Sequence, residues 1–150
     1  MVSYYRSWHE MQHIQVLCFR AFTNMCPQAF PSRRFRWSPV GLFRFSALTF
    51  NGHMIHYNED WTRRVEGHPA EVVHGPLNLI NILDYWRDVH GKGAMPSEIK
   101  YRATSPLYAG DSYQIMTHNA SDAQDGRTWN IAAEKDGITC FSGSVFSQSL

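Results

Sequence analysis

The run EVVHGPLNLINILDYWRDVHG, residues 71–91, constrains this chain more than any other stretch. Gly75 suits a helix N-cap and Pro76 the first helical position, where a missing N–H costs nothing. Leu77, Ile80, Leu83 and Trp86 fall on one stripe, Leu79 and Ile82 broaden it, and Gly91 ends the helix. A helix apolar over so much of its circumference has to be wrapped rather than laid on a surface. The sequence after it can do the wrapping. SEIKYRATSPL, GDSYQIMTHN, RTWNIAAEK and ITCFSGSVFSQ alternate as strands. Ile99, Tyr101 and Ala103 share a face, as do Tyr113, Ile115 and Thr117, and Trp129, Ile131 and Ala133. Gly143 sits inside the last strand. QDGR and KDGI both carry Asp-Gly, the two-residue hairpin signal.

Upstream, RFRWSPVGLFRFSALTF reads as an extended segment interrupted near Pro39, with Phe43, Phe45 and Ala47 on one face and Arg44 and Ser46 on the other. NGHMIHYNEDWTRRVEG is polar and irregular, with a helical turn or two. Residues 3–24 read as a helix with Trp8, Met11, Ile14, Val16 and Phe19 as its apolar positions, and CPQAFPSRR as a linker. Residues 1–33 are therefore expected to be an N-terminal extension and residues 34–150 the main domain. The order predicts an α+β fold, one antiparallel sheet curled around one long central helix, which is the hot-dog arrangement. A single curled sheet leaves open edges, so pairing into a homodimer is expected.

Composition narrows the function classes. A 43% hydrophobic and 14% aromatic content over 150 residues supports one packed domain. The formal charge of +1 leaves no electrostatic footprint for nucleic acid or an anionic membrane. The longest apolar runs fall far short of the ~20 residues that span a bilayer. Cys18, Cys26 and Cys140 make an odd set without CxxC, which points to a reducing compartment, the cytoplasm by default. The N-terminus has no clean apolar signal core, and Glu10 with few arginines makes a mitochondrial presequence the weaker alternative.

Candidate chemistry gathers in two places. Asn51 and His56, five apart, would not share a helical face, but both can point into one cleft if Asn51 ends a strand and His56 opens a turn. His56 can take or give a proton near neutral pH, and Asn51 can orient a water or a carbonyl. The alternative is two loop residues satisfying local backbone groups. The second place is VVHGPLN. A helix N-terminus offers unpaired N–H groups, and the Gly75 amide is the donor best placed for an oxyanion. An ordinary Gly-Pro helix start would look the same. His53, His68 and His74 lack a cysteine or acidic partner at a familiar offset, so hydrogen-bonded histidines and no metal site are expected. Arg33, Arg34 and Arg36 suit a phosphate-bearing carrier or simply a solvated strand edge.

LFRFSALTFNGHMIHYNEDW, EGHPAEVVHGPLNLINIL and IKYRATSPLYAGD, in that order, resemble the MaoC-like hydratase/dehydratase family. The likeness is to the branch that contains mesaconyl-CoA C4 hydratase and the mitochondrial 3-hydroxyacyl-thioester dehydratases, over residues 34–148. The resemblance implies that Asn51 and His56 occupy the family's catalytic pair, an acidic residue or, in this branch, asparagine, five positions before a histidine. It also implies that the Gly75 N–H holds the thioester oxygen. His53, Met54, His74 and Asn78, beside these positions in the sequence, are the substrate-binding candidates. No cofactor is implied beyond a CoA or carrier-protein thioester that is part of the substrate. Two departures stand out. Met54 replaces an arginine common in the branch, which favours a more apolar substrate. The chain also matches only the catalytic half of members built from two hot-dog halves, so a homodimer or a remodelled pocket has to supply the rest.

The leading expectation is a hydro-lyase that adds or removes water at a double bond conjugated to a thioester carbonyl, with His56 as acid and base. One alternative is a natural-product dehydratase, isomerase or cyclase acting on a free small molecule in an aromatic pocket. Another is a non-catalytic binding module that meets its partner through the sheet edge.

Overall fold

The computed structural model describes residues 30–148. The helix expected over residues 3–24, Cys18 and Cys26 lie outside the described residues. In chain order come β1 (Arg33–Arg36), α1 (Pro39–Leu48), α2 (Glu59–Arg64), α3 (Gly75–Trp86), β2 (Glu98–Ala103), β3 (Ser112–Ala123), β4 (Gly126–Lys135) and β5 (Ile138–Gln148). The five strands form one antiparallel sheet in the order β1-β3-β4-β5-β2. Arg33 already pairs with Ile115, so the sheet takes in the last residue assigned to the N-terminal extension.

The alternation read in the sequence survives in the strands. Tyr113, Ile115, Thr117, Trp129, Ile131 and Ala133 all turn inward and are buried. The β4–β5 turn is Asp136-Gly137, with φ of 52° and 78°, the paired left-handed conformation that Asp-Gly favours. In the β3–β4 hairpin Ala123 pairs with Gly126, so the two turn residues are Gln124 and Asp125, one position earlier than expected. On β2 the face of Ile99, Tyr101 and Ala103 is only partly covered; Tyr101 is 58% exposed, because β2 forms a free edge of the sheet.

α3 is the central helix, but its buried face differs from the expected stripe. Leu77, Asn78, Asn81, Ile82, Tyr85 and Trp86 face the sheet, whereas Ile80 is 49% exposed. The helix is rotated because two asparagines find a partner inside. The Tyr113 hydroxyl donates to Asn78 Oδ1 (3.2 Å) and accepts from Asn81 Nδ2 (3.0 Å) and Trp37 Nε1 (3.1 Å). A satisfied buried amide costs little, and an unsatisfied one would not be tolerated there. Ile82 fits over Gly143, where an added Cβ would lie 3.4 Å from Ile82 Cγ2, so the missing side chain lets the helix settle into the sheet. The N-cap is His74, with Gly75 and Pro76 in the first turn, one residue earlier than expected. Past Trp86 the helix widens into a π-turn over Arg87–Gly91 and stops at left-handed Lys92.

The extended segment expected after Pro39 is the clearest correction. Only Arg33–Arg36 is strand; Pro39–Leu48 is helix α1. Ser38 caps it by accepting from the Gly41 amide (3.1 Å), and Pro39 occupies the first turn. Leu42 and Ser46, four apart, are the buried pair, and Phe45 packs beside them while Phe43 is 55% exposed. The aromatic alternation that suggested a strand is thus split between two helix faces. No described helix is long and apolar enough to cross a membrane.

Candidate active site

The end of α1 sets the first residue of the site. Asn51 N–H bonds the Ser46 carbonyl (2.9 Å) and Phe50 N–H bonds the Ala47 carbonyl (3.3 Å). This is the Schellman ending, with Phe50 at φ 52° in the left-handed position that glycine usually fills. Phe50 is 96% exposed, so nothing in the core requires its ring. Phe50→Gly is expected to stabilise the fold by roughly 0.5–1 kcal/mol through relief of that conformation, read as a higher urea midpoint at unchanged slope.

Asn51 therefore follows a helix and does not end a strand, contrary to the sequence expectation. Its side-chain oxygen accepts from the His53 amide (3.0 Å), which starts the short 3₁₀ turn Met54–His56. With Oδ1 committed, Asn51 has its NH₂ group to offer a ligand. Tyr57 and Asn58 amides both bond the Met54 carbonyl (3.1 and 2.9 Å), and Asn58 caps α2 through the Trp61 amide (3.0 Å). Met54 and His56 are half-buried. His53 is more exposed, its Nε2 3.5 Å from Glu66 Oε1 and its ring edge-on to His56 at 5.7 Å.

His56 is held from the other side by the run Val72–Gly75. Its Nδ1 lies 2.7 Å from the Val72 carbonyl. A carbonyl only accepts, so Nδ1 carries the proton and Nε2 presents a lone pair. Burial pushes the His56 pKa below 6.5, a like-charged His53 adds to that, and the Val72 carbonyl opposes it. The ring is neutral at pH 7 and ready to accept a proton.

The His56 ring stacks on His74, centroids 3.7 Å apart and planes 18° from parallel. His74 is fully buried. Its Nε2 is 2.8 Å from Ser46 Oγ and Phe45 meets it edge-on at 4.8 Å. Burial first, and the neighbouring His56 second, bring its pKa down to about 4. Gly75 follows directly, and as the first residue of α3 its N–H has no acceptor within the helix. The loop histidine and the helix start are thus brought together: Asn51, His53, Met54 and His56 lie on the loop, and His74 and Gly75 at the helix mouth. Asn78 sits one turn further in, buried and bonded to Tyr113, and His74 is likewise turned toward protein groups. His68 lies apart, Nδ1 3.2 Å from the Tyr108 hydroxyl. Arg33 pairs with Asp88 at 2.8 Å.

Sequence reasoning missed Ser46 and Val72. Ser46 lies 28 residues from the histidine it meets, and Val72 contributes only its carbonyl, so neither leaves a local pattern. A cleft of about 840 Å³ opens at the other end of α3, among Phe30, Arg33, Tyr85, His90, Arg127 and Trp129. It is a helix length away from Gly75 and shares no residue with the histidine cluster.

A five-stranded antiparallel sheet packed on one helix is the hot-dog fold of the solved MaoC-like dehydratases. The (R)-hydratase from A. caviae shares it: TM-score 0.64 and 15% identity, covering 85% of this chain and 100% of that one. The model of the hydroxyacyl-thioester dehydratase type 2 family matches residues 19–109, and the chain belongs to that family. The mesaconyl-C(4)-CoA hydratase of Chloroflexus aurantiacus is 35% identical over 71% of this chain and 36% of its own length. The mitochondrial hydroxyacyl-thioester dehydratase type 2 of Schizosaccharomyces pombe is 34% identical over 61% of this chain and 29% of its own. The chain therefore spans about a third of the length of these curated relatives.

Proposed function

We propose that the protein is a hydro-lyase that interconverts a 3-hydroxyacyl thioester and its 2-enoyl thioester, with CoA or a carrier arm as part of the substrate. The observation that carries this reading is His56: a neutral, half-buried imidazole, fixed in one tautomer by Val72 and stacked on His74, the residue before the first free amide of α3. In the elimination direction Nε2 takes the proton from the carbon next to the carbonyl. The Gly75 N–H stabilises the negative charge that develops on the thioester oxygen, a contribution of about 3 kcal/mol for one such donor. Asn51, acting through its NH₂ group, holds the hydroxyl at the neighbouring carbon but has no proton to give. The imidazolium of His56 returns its proton to that hydroxyl, which leaves as water. One residue serves both steps, so both events fall on one face and the elimination is syn. Met54 beside the site favours an apolar acyl chain.

The free-base requirement fixes the pH dependence. His56 has its pKa lowered from 6.5, so the acid limb of kcat/KM is expected to be centred below 6.5. An acid limb centred above 6.5 in a steady-state pH profile would contradict the burial argument.

β2 is a six-residue edge whose groups are mostly exposed, and we propose that it pairs with β2 of a second copy to complete the pocket. Sedimentation is expected to give twice the 17.3 kDa chain mass. Tyr101→Asp, at the exposed edge, should shift the protein toward monomer and reduce turnover. A fully active wild-type monomer would remove this element. Assembly and substrate are tested together by assaying hydration of short trans-2-enoyl-CoA compounds by loss of the conjugated chromophore. No turnover of any CoA or carrier-bound enoyl compound by the folded dimer would end the hydro-lyase reading.

A further inference from the structure

The hydrogen bond from His56 to Val72 fixes one atom of the imidazole and leaves its plane free to swing. What fixes the plane is the face-to-face contact with His74 at 3.7 Å. His74 is itself immobilised on every side: Ser46 holds Nε2 at 2.8 Å, Phe45 closes one edge, and the residue is fully buried as the N-cap of α3. Its Nδ1 is buried without a hydrogen-bond partner among the described residues. We propose that His74 is a positioning residue, a neutral aromatic platform that sets the plane of the His56 base and ties it to the helix end that carries the Gly75 amide.

The chain connectivity gives the platform its effect. His74 and Gly75 are consecutive, so the ring under the base and the donor for the thioester oxygen move as one dipeptide. Val72, two residues earlier, supplies the carbonyl that fixes the tautomer. That run is pinned in turn: Val72 N–H bonds the Ile55 carbonyl (2.9 Å) and Val73 N–H bonds the Leu107 carbonyl (2.7 Å). Base, tautomer lock and oxyanion donor thus share one rigid reference, which is what a near-attack geometry requires. A ring that could itself take a proton would compete with His56 or repel its imidazolium. His74 avoids this because it is dry and bonded to a hydroxyl, and its pKa of about 4 agrees. The titratable groups that face His56 are His74 from the start of α3 and His53 from its own loop, the latter paired with Glu66.

The inference rests on the hydro-lyase reading for its kinetics but not for its titration. His74→Ala removes the platform, His74→Phe keeps a ring and drops the Ser46 bond, and Ser46→Ala releases the ring from α1. In substrate-free protein, NMR titration of the His56 ring should show its pKa rising toward 6.5 in His74→Ala and remaining low in His74→Phe. With a short trans-2-enoyl-CoA, His74→Ala should lose about 30-fold in kcat with KM within about twofold, and His74→Phe should stay within about threefold. Ser46→Ala should fall between them. An unchanged His56 titration in folded His74→Ala overturns the proposal. If His74→Ala does not fold, a well-folded His74→Phe that loses more than about tenfold in kcat overturns it instead. A wild type without thioester activity whose His56 titration still responds to His74 would retire the reaction and leave the positioning role standing.

Discussion

Replacing His56 should lower kcat by about 10³-fold, close to 4 kcal/mol of barrier, with the fold intact. The informative variant is His56→Asn. Its side-chain NH₂ can take the place of Nδ1–H and keep the bond to the Val72 carbonyl, which is 2.7 Å in the wild type, while no basic nitrogen remains. His56→Ala removes both the base and that bond. If proton transfer is the role of His56, the two variants should be equally inactive, and His56→Asn should unfold within a few degrees of wild type. A His56→Asn enzyme with more than about a tenth of wild-type kcat would mean that another group carries the proton, since general acid–base contributions of this kind run to at least about a hundredfold.

The second large effect concerns stability. Tyr113→Phe deletes one oxygen and strands three groups: Asn78 Oδ1, Asn81 Nδ2 and Trp37 Nε1. Both asparagines are about 5% exposed, so water cannot replace the hydroxyl without opening the helix–sheet interface. At about 1–3 kcal/mol for each orphaned buried group, the two amides alone predict a loss of about 3 kcal/mol, seen as a lower midpoint in urea at unchanged slope. The triple variant Tyr113→Phe, Asn78→Leu, Asn81→Leu should recover much of that loss, because removing all partners of a polar network costs far less than removing one. A loss below about 0.5 kcal/mol for Tyr113→Phe would mean that the network is wet, and that the rotation of α3 needs another cause.

That network also explains where the sequence stopped being legible. Strand alternation and the Asp136-Gly137 turn are local signals, and β3, β4 and β5 follow them closely. The long helix was legible for the same reason. Its buried face was not, because Asn78 and Asn81 are inward-facing only by virtue of a tyrosine more than 30 residues away. In α1 alternating aromatics favour a strand locally, while the Ser38 cap and the buried pair Leu42 and Ser46 make the helix in context. In the site, His56 and the Gly75 helix start stood out as residue types at telling places. The partners that define their geometry, a serine hydroxyl and a backbone carbonyl, have no signature in a single sequence.

The Schellman ending of α1 has a further bearing on how such a protein could diversify. Everything from Phe50 to Tyr57 hangs between that ending and the cap of α2, and Asn51 is fixed by main-chain bonds rather than by the identity of its neighbours. Val40 and Leu48, outward on α1, can therefore change without touching those bonds, whereas Phe43 meets Tyr57 edge-on at 6.2 Å and is tied to the proton-handling loop. Drift at those two positions leaves the chemistry anchored to hydrogen bonds that substitution of their side chains does not touch.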